Sequence, residues 1–206
     1  MLRAKSVFDN SFTRVLNIHD LYRHLVHEQH FQSEFLSDML RSEIVYIISA
    51  FDKFIHDIVK DGILETYNSL RVPTPAFNNF PINLSQMDSI VNPMPTISPI
   101  DILENIIIEN HKHLSFQDPD KISQALSLVW LENHKWQKIA DHLSMNQNAL
   151  KIELKNIVIR RNQIVHEADI DLFTNDIQVI NESDVSNSVN FIKSLSDAIY
   201  NLIRLP

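Results

Sequence analysis

The chain of 206 residues contains one glycine, Gly62. Glycine reaches positive φ without a steric penalty, and tight hairpins, phosphate-binding loops and dinucleotide-binding turns rely on that freedom. A chain almost without glycine is poorly equipped for any of them, so the sequence predicts an all-α protein. Cysteine is absent, which removes disulfides, thiolate zinc sites and cysteine nucleophiles together and fits a reducing compartment. The length suits a single domain over 1–206, large enough to bury a core.

Charge narrows the partners. Eighteen basic residues stand against 26 acidic ones, a net of −8, so the molecule as a whole does not attract a polyanion or an anionic membrane, and any nucleic-acid site must be local. The segment MLRAKSVFDNSF lacks the apolar stretch of a secretory signal. The greasiest run, IVYIISAF from Ile44 to Phe51, is too short to span a bilayer. A cytoplasmic setting with no membrane partner is expected.

Apolar residues at three- and four-residue spacing predict helices from about Phe12 to His30 and from about Ser37 to Asn68, the second lined by Ile44, Ile47, Ile48, Phe51, Ile55, Ile58 and Val59. Residues 71–99 hold six of the eight prolines and are read as an extended connecting loop with one short turn near Leu84 to Val91. Ser98-Pro99 and Asp118-Pro119 each supply an N-cap and an N1 proline, for helices running to about His113 and to Trp130–Asn133. A short helix over His134–Leu143, a longer one from Gln147 to Glu167 capped by Asn146, and a last helix capped by Ser183 complete the expectation.

The helix from Gln147 carries a charge in an unexpected place. At 100° per residue, Leu150, Leu154, Ile157, Ile164, Val165 and Ala168 form an apolar stripe with Arg161 near its middle. Either the guanidinium is buried against a carboxylate, for which Asp52 on the flank of the long helix is the candidate, or it faces an interface where something else offsets its desolvation. Asn162 and His166 are four residues apart and share one side of the same helix, so the amide could orient the ring. Between Lys135 and Arg161, six basic residues, among them Lys155 and Arg160, face only Asp141 and Glu153. Such a strip either tracks a phosphate backbone or is an ordinary solvated face.

The run RNQIVHEAD, Arg161 to Asp169, resembles the R-x4-6-H motif of the HEPN superfamily, and the helical layout around it is most similar to the RiboL-PSP-HEPN type. RVLNIH, Arg14 to His19, has the same spacing but carries valine where the family prefers a polar residue, and is set aside as chance. The resemblance implies a HEPN-like helical bundle with a proline-rich crossover and a short accessory helical insertion. It implies homodimerisation through the motif helix and metal-independent RNA cleavage as a toxin or antiviral-defence effector, with an antitoxin or defence-system partner. Arg161, His166 and Asn162 would be catalytic, with Arg160, Lys155 and Asp52 in support; Arg160 also satisfies the spacing but lies off the stripe. No metal and no cofactor are called for. The alternative is a HEPN module that dimerises or binds RNA, alone or in a larger defence complex, without cutting it. Members paired with small nucleotidyltransferases often carry a tyrosine two residues beyond the histidine; here that residue is Ala168, so the resemblance implies no such modification.

These residue types suit RNA. The 2′-hydroxyl is a built-in nucleophile, so an enzyme need only move protons and neutralise charge on the phosphate. Guanidinium matches two phosphate oxygens with a planar fork, and imidazole titrates near neutrality. Elsewhere, His24, His27 and His30 recur at three-residue spacing beside Glu28, as a metal pair or a solvated helix face. Trp130 and Trp136 read as packing residues rather than stacking platforms.

Overall fold

A computed structural model describes residues 1–171 and 173–204. Helix α1 spans Leu2–Arg23 and buries Ala4, Phe8, Val15 and Tyr22. It starts ten residues before the expected Phe12, because Ala4 and Phe8 extend the same apolar stripe, and it gives way to a single π-helical turn, His24–Glu28. Helix α2, Ser33–Tyr67, is the central element. Its 35 residues pack against α1 on one side and on four later helices on the others.

Gly62 lies inside α2, not at a turn. A Cβ there would stand 2.5 Å from Val129 Cγ1 and 2.7 Å from Met1 Cε, so the glycine permits close approach, at a cost of about 1 kcal/mol in helix propensity relative to alanine. The left-handed backbone positions fall to His30, Ser69, Ser144, Ala168, Asp169 and Asn175.

The proline-rich crossover is more ordered than the extended loop expected. It contains α3, Pro75–Asn78, and α4, Leu84–Val91. Thr74 caps α3 by accepting from Phe77 N–H, and donates in turn to the carbonyls of Ser127 and Leu128. Asn83 and Gln86 close a reciprocal capping box on α4. Phe77, Phe80 and Ile82 pack on the core, and Arg71 pins the entry by donating to the Val129 and Ile203 carbonyls at 3.2 and 2.8 Å.

Helix α5 is Pro99–His111 and α6 is Pro119–Leu126, each starting at its predicted cap, Ser98 and Asp118. The latter ends four to seven residues before the expected Trp130–Asn133. Helix α7, Lys135–His142, and α8, Gln147–His166, follow, the second capped by Asn146 accepting from Asn148 and Ala149 N–H. Helix α9, Glu182–Ile203, is capped by Asn181, which accepts from Asp184 N–H at 2.9 Å; the expected Ser183 lies within the first turn. Among the described residues the only strand-like pairing is an isolated antiparallel bridge, Ile170 to Ile177, and no helix is long and apolar enough to cross a membrane.

A buried carboxyl joins α1 to α2. Glu43 is 1% exposed; His19 Nδ1 lies 3.0 Å from its Oε2, and its Oε1 has no partner. Burial pushes the Glu43 carboxyl up to about 7, with His19 opposing and Glu182 and Asp20 adding to the rise. From an ordinary value of 4.5 up to about 7, the folded chain therefore holds a proton that the unfolded chain has released. Stability contributed there falls as pH rises through that window. Glu43→Gln, neutral throughout, is expected to raise the melting temperature above about pH 7 and to change it little below about pH 4.5, as thermal scans across pH would record. A difference that is flat with pH contradicts this account.

Candidate functional site

The site is built on α8. Its buried face is Leu150, Leu154 and Ile157, and Arg161 occupies the next position on that face, half-buried. Its Nε is shielded from solvent and has no hydrogen-bond partner, while Nη1 donates to Asn162 Oδ1 at 3.0 Å. A shielded guanidinium N–H without an acceptor costs free energy, about 1–3 kcal/mol for an ordinary polar group.

His166 is the last residue of α8, and its ring is exposed. The helix stays regular up to it: Glu167 is the C-cap, with its N–H on Gln163 O at 3.0 Å. The helix does not unwind to swing the ring toward Arg161. The two side chains leave an ideal helix about 140° apart. Asn162, expected to orient the His166 ring, accepts from Arg161 instead.

Arg160 has another occupation. Both of its terminal nitrogens bond to Asp169, Nη2 at 2.9 Å from Oδ2, and Nη2 also reaches Val179 O. Asp169 is 1% exposed and also accepts from Arg41 Nε at 2.7 Å. Arg41 in turn donates to Gln178 O and Ser37 Oγ. Arg160 is thus engaged, its side chain 22% exposed, in an Arg–Asp–Arg cluster around the buried Asp169. Ala168 and Asp169 both have positive φ, 51° and 59°, and Asp169 N–H closes back on Gln163 O. The cluster and the left-handed turn together fasten the chain beyond His166 to α2.

Asp52 also departs from expectation. Its Oδ1 accepts from Phe116 N–H, in the loop after α5, and no hydrogen bond among the described residues joins it to Arg161 or His166. A loop amide with no helical acceptor has captured the carboxylate. The basic strip is likewise interrupted. Lys155 lies 3.9 Å from Asp118 and Lys151 4.0 Å from Asp120; both carboxylates come from the start of α6, outside the stretch counted in the sequence. Lys135 is buried, donates to Glu132 O, and is pushed down by that burial, with Glu132 opposing. Lys155, half-exposed at its side chain, is the member of the strip on α8 nearest the motif that is not held in a short ion pair.

The histidines of the π-turn are engaged separately, His24 with Glu28 and His27 with Glu182, both at 2.8 Å. Trp136 is buried with its indole N–H on Pro119 O.

The sequence reading missed Asp169 and Arg41. A signal was present: an acid directly after a helix C-terminus opposes the helix dipole, so HEAD at the end of α8 implies a cation drawn in to offset it. Beside this turn, a recess of about 430 Å³ is lined by Arg41, Ser42 and Val45 of α2 and by Ile164, Ala168 and Ile177.

No curated protein and no solved structure matches the chain. The helical layout, the motif on the last turns of α8 and a match of the RiboL-PSP-HEPN family model over residues 11–204 agree: the chain belongs to the RiboL-PSP-HEPN family.

Proposed function

We propose that the protein is a metal-independent endoribonuclease, active as a homodimer through α8 and used as a toxin or antiviral-defence effector, with an antitoxin or defence-system protein as its partner. The reading is carried by Arg161: a guanidinium on the buried face of α8, with a shielded Nε that no protein acceptor satisfies, five residues from an exposed imidazole. A phosphate oxygen supplies the missing acceptor. In the reaction the 2′-hydroxyl loses its proton to an imidazole and its oxygen bonds to phosphorus. The bond from phosphorus to the 5′ oxygen breaks, and that oxygen takes a proton. The products are a 2′,3′-cyclic phosphate and a 5′-hydroxyl. Two copies of His166 would supply base and acid, and Arg161 would neutralise the extra charge on the phosphate.

The outer face of α8 supports the dimer. Ile152 and Ile159 are 57% and 55% exposed, and with His166 they recur every seven residues, on nearly one line of an ideal helix. A second copy covering this line would remove exposed apolar surface and bring the two histidines toward each other; Arg161, about 160° round α8 from Ile159, would meet the phosphate at the end of the helix and not across this line. Asn162 stays in the proposal through its bond to Arg161, which fixes the direction of the guanidinium; Lys155 is proposed as a flanking phosphate contact.

Purified protein incubated with single-stranded RNA in EDTA is expected to cut it and leave cyclic-phosphate ends, which resist phosphorylation by a kinase acting on 3′ ends until opened by acid. Cleavage that appears only with added Mg²⁺ would remove the proposal, and so would ends bearing a 5′-phosphate.

A further inference from the structure

Two recesses open on the solvent side of α2, and one side chain borders both. The larger, about 690 Å³, lies between α1 and α2 and is lined by Val7, Ala50 and Phe54 together with Arg14 and Lys53, among others. The smaller is the recess beside the end of α8. Tyr46 lines each of them. It is 56% exposed, whereas its helix neighbours Ile44, Ile47 and Ile48 are buried.

Along α2, Ser42, Tyr46, Ser49 and Lys53 recur at three- and four-residue spacing and form one surface strip. The strip runs from the turn that follows His166, past Tyr46, to the two cations. Its charge matters because the chain carries a net of −8, so a cationic recess is a local feature and not the general surface. Lys53 shares its ammonium with Asp57 at 2.6 Å. Arg14 is exposed on α1.

We propose that this strip holds a single-stranded segment of RNA leading away from the motif helix, with one base stacked on Tyr46 and a flanking phosphate at Arg14. The proposal rests on the nuclease reading of α8 and adds the path of the substrate. Every base has a π face, so an exposed aromatic ring beside a cationic groove binds a strand with little regard to sequence. The recess is of a size that suits a nucleotide, within the range of about 300–1,000 Å³ for small-ligand sites. A second copy of the chain is the competing occupant. The polar and cationic far end favours RNA over an apolar helix face.

The test uses the full chain in a His166→Ala background, so that RNA is bound without being cut, with fluorescence anisotropy on a labelled single strand of about twelve nucleotides. Tyr46→Ala is expected to weaken binding by about tenfold, and Tyr46→Phe to leave it nearly unchanged, because stacking needs the ring and not the hydroxyl. Arg14→Gln is expected to weaken binding and to flatten its salt dependence. An abasic strand is expected to abolish the Tyr46 effect while keeping that of Arg14. Circular dichroism and sedimentation accompany each variant. Equal binding by Tyr46→Ala overturns the proposal, and so does weakened binding that tracks dissociation into single chains, which would make the strip a contact between copies. The two readings fail differently. A wild-type protein that binds the strand without cutting it removes the nuclease, whereas normal cutting with Tyr46 variants indistinguishable from wild type removes only the path.

Discussion

His166→Ala is expected, on the proposed nuclease reading, to lower RNA cleavage by about 10²–10⁴-fold while the helical spectrum, the melting temperature and the oligomeric mass stay as in the wild type. The ring is exposed at the last position of α8 and contributes no core packing, so its removal leaves the fold nothing to lose. Arg161 allows a sharper contrast. An arginine held in a structural ion pair destabilises the protein when replaced. Arg161 instead carries a shielded Nε with no acceptor, on a face continued by Leu150, Leu154 and Ile157. Arg161→Leu should therefore leave stability unchanged or raise it by up to about 1 kcal/mol, and abolish cleavage. Chemical denaturation and a cleavage assay on the same preparation decide it. A variant that loses stability and activity in parallel would assign Arg161 a structural role and withdraw it from the site.

That contrast depends on what helical periodicity can and cannot convey. The place of Arg161 on the buried face of α8 follows from its spacing to Leu154 and Ile157, and the starts of α5, α6 and α8 follow from Ser98, Asp118 and Asn146, because each is a local signal read within one turn. The start of α9 was misplaced for a local reason as well: Asn181 and Ser183 are both good caps, and the earlier one has a bond to Asp184 N–H. Other features were settled at long range. Asp52 was the candidate partner if Arg161 were buried in an ion pair, yet its carboxylate belongs to Phe116, 64 residues away, in a loop whose path no periodicity describes. The crossover looked extended because proline interrupts helices, but Arg71, Thr74 and Phe77 tie it to the residues just after α6 and to the core, and between such anchors a four-residue helix forms. The expected cationic strip counted neighbours in sequence, whereas Asp118 and Asp120 are neighbours in space. Glycine scarcity pointed correctly to helices, although the reason was incomplete. The chain still makes left-handed turns, at Ala168 and Asp169 among others, and uses its one glycine for packing.

The turn at Asp169 gives the largest expected change in stability. Asp169→Asn preserves shape and tolerates positive φ, since asparagine visits the left-handed region readily, so the substitution isolates the charge. Two guanidiniums then share the site with no buried anion, only the exposed Asp38 3.4 Å from Arg41: the Arg41 side chain is 10% exposed and that of Arg160 22%. Removing one partner of a buried ion pair costs about 3–5 kcal/mol, and the partial exposure of Arg160 places the expected loss near the lower end. For a chain of this length that corresponds to a fall in melting temperature of about 6–12 °C. A loss under about 1 kcal/mol would mean that water screens the cluster as it does a surface pair. The functional consequence follows from position: the cluster clamps to α2 the residues directly after His166, so loosening it frees the histidine's end of α8 and not the whole helix. Below the variant's melting temperature, cleavage should therefore fall more in kcat than KM rises, because the imidazole loses its alignment while Tyr46, Ser49 and Arg14, the greater part of the proposed strand path, are untouched. A rise in KM alone would place Asp169 on the binding path instead of behind the histidine.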